Sequence, residues 1–599
     1  MKKQLTELLC AGLCLSLTAC GNTVQETAQP EETTPTETAT AVTNLSMIDS
    51  SAWQYNADDD VYYQIGISYC ETPADSTYET LAVFVPGAYL NGEANGDGTY
   101  TCSINSEAMV NGYTASTAPI VMPINTPGYS AQSALSEYTD VTDYTTAGFV
   151  YVHAGCRGRD AGAPAGVTDL KAAIRYIRYS DETVPGDAES IFTFGMSGGG
   201  AQSAIVGASG DSALYEPYLE AIGAVQGVSD AILGSMDWCP ITNLDTADEA
   251  YEWMLGCTRD GLSEEEQAIS DALANAFATY INEAGLKDEA GNVLTLEESE
   301  EGIYQVGSYY EYMKNVIEGS LNNFLADTTF PYEASSGGSG MMGGRGSHDG
   351  ERPSGERNGE FPERPSGNGE GGPDGSGEVN FEAVDDIERN ETSSGLSLSG
   401  TYETAQDYID ALNANEEWVV YDANTNTVSI TSIASFVKNL KSASKNLGAF
   451  DQLDAGQGEN TLFGYGDGNG AHFDSTLASI LNDLGSTYAS AYESDLAKTD
   501  SVGNTVDVRV NMYTPLYYLL ESNEGYGTAA VAKYWRIRTG INQGDCALST
   551  EMNLALALEN YSGVDSVDFE TVWGQGHTQA ERTGTSTENF IAWVEDCTK

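Results

Sequence analysis

The sharpest chemical signal in this 599-residue sequence is the run GMSGGG at Gly195–Gly200, which follows the apolar segment Ile191–Phe194. A serine on a tight turn between a strand and a helix needs neighbours that carry almost no side chain. Such a turn exposes the hydroxyl and directs the N–H groups of the helix start towards a developing oxyanion. We therefore predict Ser197 as a nucleophile and the amide of Gly198 as the first oxyanion donor. The alternative is a glycine-rich turn with no catalytic role.

A serine nucleophile needs a base, and the chain offers only four histidines for that role: His153, His348, His472 and His577. His577 lies just beyond the last strand-like run and before the last helix-like run, where a base that follows the nucleophile in sequence is expected. His472 lies in the middle of the chain and fits a loop or substrate contact. We predict His577 as the base, with His153 as a remote third candidate.

The third member of such a triad is an acid that orients the imidazole and stabilises its protonated form. Asp545 is the only acid in the loop that follows the strand-like run Tyr534–Arg538, so we predict it for this role. The alternative is a loop aspartate that caps the next helix. For the second oxyanion donor we predict the backbone N–H of Gly128 or Tyr129, in the loop after the third core strand.

Short apolar runs alternate with helix-like runs, as expected for a mostly parallel sheet with helices on its faces. The strand-like runs are Ile65–Cys70, Leu81–Pro86, Pro119–Ile124, Phe149–His153, Ile191–Phe194, Ile222–Val225, Tyr534–Arg538 and Val567–Trp573. The middle of the chain has helical periodicity and little strand signal. We predict an α/β-hydrolase fold with a large, mainly helical lid insertion.

Composition shifts divide the chain into five segments. Residues 1–20 form a leader, 21–45 a disordered tether rich in Thr, Glu and Pro, and 46–238 the first part of the core. Residues 239–505 form the lid insertion, and 506–599 the second part of the core. Within the insertion, residues 335–378 form a Gly-rich loop of low complexity, which we expect to be disordered. His348 lies in that loop and is a poor candidate for catalysis.

The N-terminal leader predicts the cellular location of the protein. Lys2 and Lys3 precede an apolar stretch too short for a permanent membrane span, and Leu17–Gly21 resembles the bacterial lipoprotein cleavage box. We expect Cys20 to be lipidated, which places the protein at the cell surface, anchored to the membrane only through its lipid. The alternative is an ordinary secretory signal. With a formal net charge of −65, nucleic acid is excluded as an expected partner.

Seven cysteines follow the leader: Cys70, Cys102, Cys156, Cys239, Cys257, Cys546 and Cys597. An exported chain permits disulfides, but the odd number leaves at least one thiol unpaired. Cys239 with Cys257, and Cys70 with Cys102, are plausible pairs. The sequence alone does not determine the connectivity.

Several further motifs resemble those of bacterial subtype-B tannases and their feruloyl-esterase-like relatives. They are Gly155–Arg159, Asp169–Tyr176, Gly195–Gly200, Trp535–Gly540, Gly448–Asp454 and Glu459–Gly464. The resemblance implies a carboxylic ester hydrolase that acts on aryl esters of galloyl or hydroxycinnamoyl type and needs no metal or organic cofactor. It also implies that Lys445 and Glu459 grip the hydroxyls of the aromatic ring.

One departure from that family concerns the loop that carries the acid. The family shows two aspartates one residue apart, whereas Gln543-Gly544-Asp545 supplies a single one. Asp545 can therefore match the substrate-contacting aspartate instead of the triad acid. With one aspartate missing, broader aryl esters or acylated carbohydrates remain possible substrates.

Two predictions on binding residues and two rival functions remain. Arg157 follows a strand end and is predicted to contact substrate, with structural pairing to an acid as the alternative. If the family resemblance is set aside, the sequence favours a different interpretation of Lys445 and Glu459, as solvated residues of the lid. The expected substrate is a small-molecule, plant-polyphenol or polysaccharide ester.

A serine peptidase of the prolyl-oligopeptidase type is the rival enzyme, although blade-like β repeats are missing from the sequence. A non-catalytic surface binding protein with a hydrolase fold is the rival from another class.

Overall fold

A computed structural model describes residues 41–300, 302–334 and 398–599 of the chain. The predicted leader with Cys20, the tether up to residue 40 and the Gly-rich segment 335–378 with His348 lie outside the described residues. The predictions made for those segments therefore stay predictions.

A single nine-stranded sheet forms the centre of the molecule. Its strands, in chain order, are β1 (Gln54–Asn56), β2 (Val61–Ser68), β3 (Thr80–Pro86), β4 (Ile120–Ile124), β5 (Val150–Ala154), β6 (Ile191–Met196), β7 (Gly234–Trp238), β8 (Tyr534–Gly540) and β9 (Ser566–Val572). The spatial order is β1-β2-β3-β5-β4-β6-β7-β8-β9. Pairing is antiparallel from β1 to β3 and between β3 and β5, and it is parallel from β5 to β9. This mostly parallel sheet confirms the predicted fold class.

Helices connect the parallel strands and pack against the sheet, as crossover connections require. The core helices are α1 (Thr142–Thr146), α2 (Ala165–Tyr179), α3 (Gly198–Ala208) and α4 (Glu216–Ala221), followed near the C-terminus by α15 (Leu548–Asn560) and α16 (Ser586–Thr598). Helix α3 is buried along its whole length and packs against β6 and β7. Its small residues allow the close approach that a helix covered on all sides needs.

One predicted strand is wrong. Ile222–Val225 forms no strand; it lies after α4, and its buried residues pack as a loop in which Ala224 makes a single bridge to Cys70. The strand at this position of the sheet is β7, whose sequence GSMDW carries two polar side chains. Hydroxyl groups pair with these buried residues: Ser203 bonds Ser235, and Ser235 donates to one carboxylate oxygen of Asp237, whereas the other oxygen, Oδ2, has no hydrogen-bond partner among the described residues. Because two of its five residues have polar side chains, this buried strand does not give the apolar run by which strands are predicted from sequence.

The chain leaves the sheet after β7 and returns at β8, its direct neighbour, so residues 239–533 form a single excursion. The excursion contains α5 (Ala247–Leu255), α6 (Glu264–Ala284), α7 (Ser308–Asp327), α8 (Ala405–Leu412), α9 (Ile433–Leu440), α10 (Gly458–Leu462), α11 (Ser475–Asp483), α12 (Ala489–Leu496), α13 (Val506–Met512) and α14 (Pro515–Leu519). Its described residues also form three two-stranded antiparallel sheets that the sequence did not predict: 297–299 with 302–306, 332–334 with 400–402, and 419–422 with 427–430. We refer to residues 239–505 of this excursion as the lid.

The seven cysteines of the described residues are free thiols, so neither expected disulfide pair forms. Cys70 lies beside Glu79 in the core, whereas Cys102 belongs to the peripheral hairpin 90–94/100–104. Cys239 directs its thiol towards backbone carbonyls of the 576–578 loop. Across the described ranges, no helix has both the length and the apolar character needed to cross a membrane.

Candidate active site

Ser197 stands at the sharp turn between β6 and α3 in a conformation that few residues adopt. Its backbone angles are φ 60° and ψ −124°, and its N–H donates to the carbonyl of Trp238 at 2.9 Å. A non-glycine residue at positive φ outside the usual regions stores strain that the surrounding structure must hold. The geometry is that of a nucleophile turn, which presents the serine hydroxyl above the carboxyl ends of the strands.

The glycines around Ser197 are required by close backbone contacts. A Cβ at Gly195 would lie 2.5 Å from the carbonyl carbon of Gly199, and a Cβ at Gly199 would lie 2.1 Å from the carbonyl oxygen of Ile124. Backbone atoms at such distances cannot move aside without displacing β4 or the turn itself. The glycine-rich composition therefore follows from packing at this turn.

We expect Gly199→Ala to lower the free energy of unfolding by about 2–3 kcal/mol, because the added methyl group overpacks the turn against β4. The matched control is Gly319→Ala in α7, where an added Cβ meets nothing within 4 Å. That change should raise stability by about 0.5–1 kcal/mol through helix propensity. Urea unfolding of both variants measures the difference; equal stability of G199A and the natural protein would contradict this account of the turn.

His577 lies in the loop after β9, and its Nδ1 contacts two side chains of the loop after β8. Gln543 Oε1 is 2.8 Å from Nδ1, whereas Asp545 Oδ2 is 3.7 Å away. The side chain of Asp545 is 46% exposed and that of His577 is 16% exposed. The hydrogen-bond position that the sequence analysis assigned to Asp545 is thus occupied by Gln543, and Asp545 contributes a nearby, partly solvated charge.

The loop of His577 meets the turn of Ser197 through Cys239, the residue after β7. The Cys239 thiol donates to the carbonyl of Thr578 at 3.2 Å. Trp238, its neighbour, accepts from the Ser197 amide, and the Ile241 amide donates to the Ser197 carbonyl at 3.4 Å. The structure therefore brings the predicted nucleophile and the predicted base to the same edge of the sheet.

The predicted oxyanion loop packs directly on Gly198. A Cβ at Gly198 would lie 2.5 Å from the amide nitrogen of Tyr129 and 3.3 Å from that of Gly128. The Tyr129 amide donates to Thr126 O at 2.9 Å within its own turn. Arg159 holds the loop from outside, with Nη1 donating to the Gly128 carbonyl at 2.9 Å. Because the Tyr129 amide is used inside the turn, Gly128 is the stronger of the two candidates for an oxyanion donor.

Lys445 of the lid lies beside the loop that carries Asp545. The hydroxyl of Ser444 donates to the carbonyl of Gly544 at 2.9 Å, and Tyr251 OH donates to the same carbonyl at 3.0 Å. The segment that carries Lys445 is therefore bonded to the loop that carries Asp545. The Lys445 ammonium lies 3.8 Å from the ring centre of Phe450, a cation–π contact that steadies its flexible stem.

Glu459 lies on the helix that packs next to the oxyanion loop. It belongs to α10 and is 8% exposed. A Cβ on the preceding Gly458 would lie 2.6 Å from Arg159 Nη1 and 3.8 Å from the Gly128 carbonyl, so α10 rests on that loop. Burial, together with the negative charge of Glu459, raises the pKa of the Tyr129 phenol far above its usual range.

Arg157 has a different partner from the predicted substrate. Its guanidinium binds the buried Asp169 through Nε at 2.9 Å and Nη2 at 2.6 Å, and Glu79 lies 3.9 Å away. These contacts tie the loop after β5 to α2. The structure thus gives Arg157 the alternative role, structural pairing with acids.

The other two described histidines bond other parts of the chain. His472 is 3% exposed, bonds Asp451 Oδ1 through Nδ1 at 2.7 Å and stacks on Tyr492. His153 contacts the Ser133 carbonyl through Nε2 at 2.9 Å, and burial lowers its pKa. His472 lies in the loop before α11, as one of its two predicted roles requires, and it braces the interior of the lid. Within the described residues, no group of three or more His, Cys, Asp or Glu side chains is arranged to hold a metal ion.

Sequence reasoning missed Gln543, together with the buried Glu551 on α15, whose carboxylate lies 2.5 Å from Gln543 Nε2. The only available signal was the departure at Gln543-Gly544-Asp545, where an acid was missing from the expected pair. A glutamine carries no charge, so a search for triad acids passes over it.

Known proteins share this architecture. The family model described as BD-FAE matches residues 83–282. Tannin acyl hydrolase from Lactobacillus plantarum is 26% identical, covering 90% of this chain and 94% of its own, with a TM-score of 0.62. The tannase of Fusobacterium nucleatum is 26% identical, covering 90% of this chain and 95% of its own, with a TM-score of 0.63. A tannin acyl hydrolase in complex with ethyl gallate is 26% identical at a TM-score of 0.60. No curated protein sequence matches the chain.

Sheet topology, nucleophile turn and these likenesses together define an α/β-hydrolase of the carboxylic ester hydrolase class. Within that class the chain is similar to bacterial tannases over about nine tenths of its length. The expected resemblance is thereby confirmed.

Proposed function

We propose that this protein is a serine esterase that hydrolyses aryl esters of galloyl or hydroxycinnamoyl type through an acyl-enzyme. The observation that carries the proposal is the strained Ser197 turn, with the Gly128 loop packed on Gly198 and the His577 loop linked to it through Cys239. The likeness to tannases, one of them bound to ethyl gallate, supports the aryl ester as substrate.

In this mechanism Ser197 attacks the ester carbonyl, and His577 accepts the hydroxyl proton at Nε2 because Nδ1 is engaged by Gln543. The amides of Gly198 and Gly128 bind the oxyanion of the tetrahedral intermediate. His577 returns the proton to the leaving alcohol, which leaves an acyl group on Ser197. Water, activated by the same imidazole, then releases the acid and regenerates the serine. The charge of Asp545 favours the imidazolium, and solvent weakens that contribution.

Three charged groups lie on segments that meet at this centre and could bind a phenolic ring. Asp545 lies 3.7 Å from His577, the segment of Lys445 is bonded to the Asp545 loop, and Glu459 belongs to α10, which rests on the oxyanion loop. Hydrogen bonds from ring hydroxyls to charged groups are stronger than bonds to neutral ones. An acylated carbohydrate, which also presents hydroxyls, is the second substrate class that this set of groups accommodates.

We also propose that the enzyme works at the cell surface, anchored through a lipid on Cys20. The support is the sequence Leu17–Gly21 after a basic and apolar leader. Expression in a bacterium that processes lipoproteins tests this. Cys20→Ser should release the activity from the membrane fraction, and retention of the variant in membranes would contradict the proposal.

The ester class is tested by comparing methyl gallate, methyl ferulate, p-nitrophenyl acetate and a prolyl p-nitroanilide as substrates. We expect kcat/KM for the two aromatic methyl esters to exceed that for the anilide by at least about 10³, because the site offers charged groups that bind ring hydroxyls. Turnover of the anilide alone would favour the peptidase. Affinity for polyphenols without any turnover would favour a binding protein.

Lys445→Ala should raise KM for methyl gallate about tenfold or more, because a charged hydrogen bond contributes about 1.5–3 kcal/mol. The acetate ester, which lacks ring hydroxyls, should be hydrolysed at an unchanged rate. Lys438→Ala, at an exposed lysine on α9, is the matched control. Equal losses on both substrates would argue against a contact between Lys445 and the ring.

A further inference from the structure

A buried hydrogen-bond network stands behind the contact between Gln543 and His577. Gln543 Nε2 lies 2.5 Å from Glu551 Oε1 and 2.7 Å from Thr539 Oγ1. Thr539 Oγ1 in turn donates to Glu551 Oε1 at 3.0 Å. The Cys546 thiol donates to the same carboxylate oxygen at 3.2 Å. Gln543 therefore connects the imidazole to the carboxylate of Glu551.

The network fixes which end of the Gln543 amide faces His577. With the NH₂ group towards Glu551, the amide donates to a carboxylate oxygen and to the Thr539 hydroxyl oxygen. The reverse orientation would set the amide carbonyl against the carboxylate, two acceptors at hydrogen-bond distance. The amide oxygen therefore points at Nδ1, as the 2.8 Å contact shows.

An acceptor facing Nδ1 determines the tautomer of the imidazole. A neutral histidine carries one proton, and the nitrogen that faces an acceptor holds it. Nδ1–H then donates to Gln543 Oε1, and Nε2 keeps the lone pair that can take a proton from Ser197. In a catalytic triad this is the task of the carboxylate.

We propose that Glu551 is a positioning residue that acts through Gln543 to hold His577 in its catalytic tautomer. The inference rests on the proposed function, and it names the group that performs the orienting task at this site. Glu551 is wholly buried on α15, a rigid core helix, whereas Asp545 is nearly half exposed. Burial raises the pKa of Glu551, and the nearby Lys441 cation acts in the opposite direction.

Glu551→Gln tests the proposal because it keeps the size of the side chain and removes the negative charge. A glutamine can present either its oxygen or its NH₂ group to Gln543, so the orientation of the Gln543 amide is no longer fixed. We expect kcat for methyl gallate to fall about tenfold to a hundredfold, with KM within twofold of the natural value. The acid limb of the pH–rate profile should move to lower pH, because the imidazolium loses its stabilising partner. Glu249→Gln is the matched control, because Glu249 is a buried glutamate on α5, outside the hydrogen-bond network of Gln543.

The exchange variant Gln543→Glu with Glu551→Gln supplies the decisive comparison. It places a carboxylate against Nδ1 and an amide behind it, so the donor and acceptor pattern is complete again. We expect kcat within threefold of the natural protein or above it. A purely structural need for a carboxylate at position 551 predicts instead that the exchange variant is as inactive as E551Q. This comparison holds even if E551Q alone does not fold.

The pH dependence of labelling by a fluorophosphonate separates this inference from the proposed function, because the probe reports an activated serine whatever the substrate. An unlabelled natural protein overturns both. A natural protein that is labelled at Ser197, with E551Q unchanged in kcat and in its pH profile, overturns the role of Glu551 and leaves the esterase standing. Slower labelling of E551Q, restored in the exchange variant, supports the role.

Discussion

Replacing Ser197 by alanine should lower kcat/KM for methyl gallate by a factor of about 10³–10⁶, the range found when a nucleophile is removed from a triad. The hydroxyl is the only atom of the proposed mechanism that forms a covalent bond with substrate. Its loss leaves the oxyanion donors and the binding groups in place, so a small residual rate and a near-normal KM are expected. The fold should be retained, because no hydrogen bond of the turn uses the side chain of Ser197 as a cap.

Ser203→Ala is the matched control, since Ser203 is a buried serine on the same helix, α3. Its hydroxyl bonds Thr193 and Ser235, and it lies on the side of the helix that faces the sheet. We expect full turnover from S203A with a loss of stability of about 1–2 kcal/mol. Thermal melts of both variants measure the stability, and steady-state kinetics measure the turnover. Turnover retained in S197A, or lost equally in S203A, would contradict the assignment of the nucleophile.

The nucleophile turn could be predicted because its geometry restricts composition so severely. Any Cβ at Gly195 or Gly199 would come within 2.1–2.5 Å of backbone atoms, so only glycine fits at these two positions, and that restriction is visible in the sequence. The same holds for the interior strands β4 to β6, which are buried on both faces and therefore form apolar runs in the sequence. At these positions the packing constraint acts on neighbouring residues of the chain, so it can be inferred from the sequence.

The orienting group could not be predicted, because its identity depends on which side chain reaches Nδ1 across two loops. Gln543 and Asp545 are two residues apart, and their distances to His577 differ by less than 1 Å. The sequence favoured Asp545 on charge alone. Its neighbour gains the contact because Thr539 and Glu551, on β8 and α15, hold the Gln543 amide from behind.

The role of Arg157 was open for a similar reason. An arginine that follows a strand can face the active site or a neighbouring helix, and the local sequence is the same in both cases. Asp169 is twelve residues further on, and only the packing of α2 on the sheet brings its carboxylate to the guanidinium. Tertiary contacts of this kind decide between a binding residue and a structural one.

The interior of the lid depends on one buried carboxylate, and we expect its removal to have the largest effect on stability. Asp451 is fully buried, and its two oxygens accept four hydrogen bonds. The donors are Asn460 Nδ2 at 2.7 Å, His472 Nδ1 at 2.7 Å, the Phe473 amide at 2.7 Å and the Asp474 amide at 2.8 Å. These bonds join α10 to the segment before α11.

Asp451→Ala leaves four buried donors without an acceptor, so the free energy of unfolding should fall by about 3–5 kcal/mol. Because Asn460 follows Glu459 on α10, the variant should also raise KM for methyl gallate more than KM for p-nitrophenyl acetate. Asp454→Ala, at an exposed aspartate three residues on, should change stability by less than about 0.5 kcal/mol. Urea unfolding and kinetics with both esters measure the two effects. A D451A protein as stable as D454A would show that the lid does not depend on this carboxylate. A loss of stability with equal changes in both KM values would show instead that Asp451 stabilises the lid but does not position Glu459.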